Sequence, residues 1–258
     1  MKKEKNIRLI SGLLIVILGV VGVILTRADA IVKEAPVSAK MPFALCLILT
    51  LIGILVLITA CLPERKKVSV RTLATAALFA ALCYVGFTFC KIDIPVGTEK
   101  TAFHLGNVFC VLAALFIGGF WGGMAGAVGM TLADLTTAYV TSAPKTFLLK
   151  LCIGLITGLI AHKIFKISQD KEERKIPLPV ATCLSCLGGM AFNIVADPVV
   201  GYFYKMWIMG VPQDAAKIWA KIGAVTTSVN AVVAIVVATV AYLALRPALK
   251  KSNLLPQL

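Results

Sequence analysis

The sequence predicts an all-α, polytopic membrane helix bundle, with a six-helix core preceded by a two-helix hairpin. Three observations carry this. The 258 residues are 59% hydrophobic with a mean hydropathy of +0.94, more apolar surface than a soluble domain can cover. The apolar residues fall in eight continuous runs, approximately 7–26, 42–62, 70–90, 103–117, 120–140, 146–165, 179–208 and 217–246. Most approach the ~20 residues that cross a bilayer as helix. The runs carry Ala, Leu and Gly throughout and do not alternate, which argues against membrane strands.

The first run follows Lys2, Lys3, Lys5 and Arg8 and precedes Ala28-Asp29-Ala30. It reads as a retained helix or as a signal peptide with an A-x-A site, and its length favours the helix. The first two runs are rich in Leu, Ile and Val, contain no buried charge, and are joined by a polar linker with Pro36. The basic link Pro63–Arg71 separates them from six runs that do carry polar residues. The expected division is 1–66, an accessory N-terminal transmembrane hairpin, and 67–258, the functional six-helix domain. The fourth run is short, so its neighbours must tilt or thin the bilayer.

With a cytoplasmic N-terminus, sixteen Lys and Arg residues fall in inner segments and eight in outer ones. This bias recurs at every inner link and places both termini in the cytoplasm of a plasma-membrane protein. The formal net charge of +14 comes from these short links rather than one stripe. That pattern excludes nucleic acid and fits the bilayer's anionic headgroups or an acidic partner surface. All eight cysteines lie in or beside apolar runs and read as packing thiols, Cys183-x-x-Cys186 included.

A charge in the membrane interior is costly and should face a cavity or a partner. Counted at ~1.5 Å per residue, the buried polar residues gather toward the outer leaflet. Asp134 lies in the outer half of its run, on a face with Thr131 and Ala138; the alternatives are an internal pair with Lys150 or a tilt to the interface. His104 and Asn107 are three apart and share a face of the fourth run. Lys145 and Lys150 begin the sixth run, where Lys145 has room to snorkel and Lys150 has less. Asn193, Asp197 and Tyr204 share a face of the seventh, where Pro198 removes a hydrogen bond to Ile194 and suggests broken backbone. Asn230 pairs with Thr226 on the last run, while Lys221 points away; Tyr202 and Trp207 read as interfacial aromatics. The candidate binding set is therefore His104, Asn107, Asp134, Lys145, Lys150, Asn193, Asp197, Tyr204 and Asn230.

No catalytic arrangement accompanies it. The two His residues have no carboxylate at ligand spacing, no nucleophile–base pair shares a depth, and no Gly-rich loop ends in Lys-Ser/Thr. No metal, cofactor or enzymatic activity is expected. Uphill transport would draw on an ion gradient or another subunit.

Ala76/Ala80 and Ala77/Ala81 form overlapping small-x-x-x-small pairs, as do Gly119/Gly123, Gly122/Gly126 and Gly154/Gly158. Such residues let helix backbones approach closely. The glycines suit internal packing. The alanine ridge, beside a basic link, suits either packing or docking of another membrane subunit.

The segments FHLGNVFCVLAAL from Phe103, the glycines of Gly118–Gly129, Ala133-Asp134-Leu135 and SAPKTFLLK from Ser142 to Lys150 resemble the S components of energy-coupling factor (ECF) transporters. The resemblance covers about 67–250 and is nearest the riboflavin-type branch, with its pyridoxine- and hydroxymethylpyrimidine-type members. It implies a six-helix bundle with an outward-opening vitamin site, capped by the loop Lys91–Thr101 after the first helix. It further implies that Ala76, Ala77, Ala80 and Ala81 dock onto a membrane T component joined to two ATPases. The N-terminal hairpin departs from that pattern. An ion-coupled secondary transporter using Asp134 and Asp197 is the alternative; the lack of a convincing inverted repeat and of paired broken helices counts against it. A membrane enzyme or a scaffold is a third class.

Overall fold

The structure, a computed structural model, describes eight helical residues between Ser11 and Gly22, then residues 69–97, 99–169 and 176–251. The chain divides into two compact units, Met1–Val68 and Ser69–Leu258. The second apolar run, the Pro36 linker and the basic link up to Val68 lie outside the described residues. In the first unit, Leu14, Ile17 and Leu18 are exposed on helical backbone.

The second unit is mostly helical. Its elements are α1 (Val70–Thr88), a hairpin of β1 (Lys91–Val96) and β2 (Glu99–His104), α2 (Gly106–Ile117), α3 (Gly119–Leu135), α4 (Ala143–Leu159), α5 (Leu178–Phe203) and α6 (Gln213–Lys251). A 3-10 turn, Val140–Ser142, leads into α4, and π-helical turns extend α4 over Ile160–Ile164 and α5 over Tyr204–Ile208. Among the described residues four segments are long and apolar enough to cross a membrane: Val70–Thr88, Val140–Ile164, Leu178–Ile208 and Gln213–Lys251. They carry apolar side chains on their outward faces, such as Leu73, Val195 and Val232.

The short fourth run is the centre of the bundle. α2 spans only ~18 Å at ~1.5 Å per residue, yet every residue in it except Phe109 is buried. It touches all five other helices of the unit. A helix that is apolar all round belongs in such an interior.

Glycine permits this packing. A Cβ at Gly122 would collide with the backbone of Ala113 and Ala114 on α2, and one at Gly126 with Cys110. On another face of α3, Gly119 and Gly123 meet Gly158 and Gly154 of α4 backbone to backbone, and Gly129 lies against the Ala80 carbonyl of α1. The turn from α2 to α3 is a single residue. Gly118 alone separates α2 from α3, with φ 84°, a left-handed conformation that favours glycine.

The bundle is helical as expected, but the segment read as a loop and the start of the fourth run is not. Lys91–His104 forms an antiparallel hairpin in which Lys91 pairs with His104 and Val96 with Glu99. Gly97, at φ 60°, takes the first place of the two-residue loop, as primed hairpin turns require. Phe103 and His104 are therefore strand residues, and helix begins only at Gly106. Three further boundaries move. α3 stops at Leu135 rather than 140, because Thr136 and Thr137 turn their hydroxyls back onto the carbonyls of Leu132 and Ala133. α5 runs unbroken through Pro198, held by packing against α4 and α6. α6 continues through Pro247 to Lys251.

The glycine contacts give a test of the packing. Gly154→Ala places its methyl against the Gly123 backbone, which cannot swing aside, and should cost ~1–3 kcal/mol of stability. Gly223→Ala, with nothing within 4 Å of the new Cβ, should be neutral or stabilise by up to ~1 kcal/mol. Thermal unfolding of the two variants in detergent checks the pair.

Candidate functional site

The helix ends nearest the hairpin surround a cavity with a free volume of about 140 Å³. Asn107 enters from the first turn of α2 and Asp134 from the last turn of α3. Lys145 and Lys150 come from α4, Asn193 and Asp197 from α5, and Asn230 from α6; His104 comes from β2. Eight of the nine residues singled out from sequence thus line one wall.

An ion pair fixes three of the helices. The Lys145 ammonium lies 2.7 Å from Asp197 Oδ1, and the Thr227 hydroxyl donates to Asp197 Oδ2 at 2.8 Å. Both oxygens of this carboxylate are engaged. Asp134 differs. It is 2% exposed, and its Oδ2 has no hydrogen-bond partner. Among the described residues no ion pair joins it to Lys150, so the internal pairing considered from sequence does not form. Lys150 is itself only 7% exposed. Asn107 Oδ1 and Asn193 Oδ1 are likewise buried without a partner. An unsatisfied buried polar group costs about 1–3 kcal/mol, so this array favours a bound molecule that supplies donors.

Asn230 is committed elsewhere. Its Oδ1 accepts from the His104 backbone N–H, and its Nδ2 donates to the Ala102 carbonyl, both at 3.0 Å. The amide therefore clamps β2 onto α6. This clamp is why His104 leaves the helical face expected with Asn107: its backbone belongs to the ladder, and its ring packs on Phe87 with centroids 4.6 Å apart.

The opposite side of the hairpin is fastened by residues that sequence reasoning missed. The Tyr139 hydroxyl donates to Asp93 Oδ1 at 2.9 Å, and Lys91 lies 3.3 Å from the same oxygen. The Tyr139 ring meets Phe87 edge-on. Burial first, then the hydrogen bond and charge of Asp93, push the Tyr139 hydroxyl well above its usual range. Thr146, Lys100, Lys205 and Trp219 also line the cavity, with the Lys205 ammonium 4.2 Å from the Trp219 ring centre. An Asp within a short alternating segment, followed 46 residues later by an aromatic loop residue, is too weak a signal to find unaided.

Two expectations change. Tyr204 does not line the cavity: it begins the π-helical turn, and its hydroxyl donates to the Thr141 carbonyl at 2.8 Å. The alanine ridge is two faces rather than one. Ala76 is buried and Ala80 packs toward Gly129, while Ala77 and Ala81 are exposed. The hairpin clamp is directly testable. Asn230→Ala should raise hydrogen exchange across 91–104 on the order of tenfold, the worth of one lost buried hydrogen bond, as read by mass spectrometry against the parent.

The sequence profile of the family described as ECF-type riboflavin transporter, S component, matches residues 67–247. No curated protein and no solved structure matches the chain.

Proposed function

Because the chain belongs to the ECF-type riboflavin transporter S component family, we propose that it is the substrate-specific subunit of an ECF-type vitamin importer, binding its ligand in the cavity beneath the hairpin. The ligand is a small heteroaromatic vitamin or precursor of riboflavin, pyridoxine or hydroxymethylpyrimidine type. It enters from outside and is delivered inward with a membrane T component and two ATPases. All six helices of 67–258 cross the plasma membrane, both termini are cytoplasmic, and 1–66 adds an accessory hairpin of two further spans.

One observation supports this reading above the others. Asn107, Asp134 and Asn193 each bury an unpartnered oxygen in the same cavity, inside a bundle whose outward faces are apolar. Burying unpaired polar groups in a membrane protein is expensive, and such groups mark substrate pathways. In this account Asn107, Asp134, Lys150 and Asn193 contact the ligand, and the Lys145–Asp197 pair holds the wall. His104 and Asn230 carry the hairpin that covers it, and Tyr204 braces the rim. Ala77 and Ala81, the outward half of the ridge, meet the T component, while Ala76 and Ala80 pack within the subunit.

Reconstituted uptake tests the assignment. Transport should survive a protonophore and stop when the ATPases are omitted; the reverse result would indicate an ion-coupled carrier. Asp134→Ala and Asn107→Ala should each weaken ligand binding roughly 10- to 100-fold, from ~1–3 kcal/mol per lost contact. Ala77→Leu should leave binding intact and abolish uptake, and normal transport by that variant would remove the docking assignment.

A further inference from the structure

Resting on the vitamin-subunit reading, we infer that the ligand is a single-ring nitrogen heteroaromatic carrying a hydrogen-bond donor on one edge and a ring-bound oxygen acceptor on another, rather than a tricyclic flavin. Size is the first ground. The free volume is about 140 Å³. At ~10–15 Å³ per water-sized group, this holds on the order of a dozen non-hydrogen atoms. Pockets for larger organic ligands run from ~300 Å³ upward. One ring with short substituents fits; three fused rings with a polyol chain do not.

Polarity is the second ground. Lys145 and Asp197 cancel one another at 2.7 Å. Lys100 lies 3.9 Å from Asp93, and Lys205 lies over the Trp219 ring. This leaves to a ligand the Lys150 ammonium and the Oδ2 oxygen of Asp134, a carboxylate that also bonds Thr146. Lys150 and Asp134 are both more than nine-tenths buried, both face the cavity, and are not paired with each other. The Asp134 edge offers a free carboxylate oxygen, and the same cavity holds the unpartnered oxygens of Asn107 and Asn193. This edge therefore takes N–H or O–H donors, and the Lys150 edge takes an oxygen acceptor. A 3-hydroxypyridine suits both in its neutral-pH tautomer, with a ring N–H⁺ facing Asp134 and a ring oxyanion facing Lys150. Its net charge is zero, as is that of Lys150 and Asp134 taken together.

The test uses the full-length chain in lipid nanodiscs and calorimetric titration with pyridoxine, its 3-deoxy analogue and riboflavin. Pyridoxine should bind at least about tenfold more tightly than riboflavin, the smallest gap expected from overfilling the cavity. Removing the ring hydroxyl should cost roughly tenfold in the parent, the worth of a charge-assisted hydrogen bond. In Lys150→Met the same removal should cost less than about twofold, because the oxygen's partner is gone. Tighter binding of riboflavin overturns the inference and leaves the vitamin-subunit reading standing. An equal cost of hydroxyl removal in parent and variant overturns the placement of the acceptor at Lys150. Should Lys150→Met not fold, the ranking of the three compounds on the parent protein still decides. Binding of none overturns the inference, and the broader reading falls only if ATPase-dependent uptake is absent as well.

Discussion

The ion pair between Lys145 and Asp197, closed by the Thr227 hydroxyl, holds together the polar end of this bundle. It draws a side chain from each of α4, α5 and α6 to one point. In a lipid surround, charges exposed by the outward helix faces would have no counterpart, so pairing inside the bundle is the available solution. The pair also sets what its neighbours can do. With Asp197 saturated on both oxygens, Lys150 and Asp134 have no counter-ion at ion-pair distance among the described residues. The cavity is thus braced by one satisfied pair and charged by two groups that are not.

The glycine contacts explain why there is a cavity at all. α3 approaches α2, α4 and α1 on different faces because Gly122, Gly123, Gly126 and Gly129 remove the side chains that would hold the backbones apart. The short α2, apolar apart from Asn107, is consequently enclosed by its neighbours. Being much shorter than α5 and α6, it leaves a gap at its N-terminal end. Asn107 closes the floor of that gap and the hairpin covers it, clamped by Asn230 on one side and by Tyr139 and Asp93 on the other. Close packing at one end and a polar cavity at the other follow from one helix length.

Much of this was legible in the sequence, for a definite reason. Polar residues are rare within apolar runs because each is costly there, so Asn107, Asp134, Lys150, Asn193 and Asp197 stand out against their surroundings. Their convergence in depth needed only helical rise. Thr146, Thr227 and Tyr139 did not stand out, because hydroxyl residues pass in membrane helices and loops without penalty. The hairpin was hidden for another reason. Its ladder depends on a side chain 126 positions away, Asn230, which no local pattern reports. That long-range bond also removed His104 from the helix it was expected to begin. Tyr204 and the alanine ridge failed on rotation. A π-helical turn re-aims the tyrosine, and adjacent alanines a hundred degrees apart divide between an inner and an outer face.

The central claim is that a molecule from outside completes the unpartnered groups around Asp134. Mass spectrometry of small molecules released on denaturing the purified full-length protein, after equilibration with growth-medium extract, tests it most directly. The account requires one heteroaromatic compound released in about equimolar amount from the parent and lost with Asp134→Ala. A monodisperse, folded parent protein that releases no small molecule would contradict it.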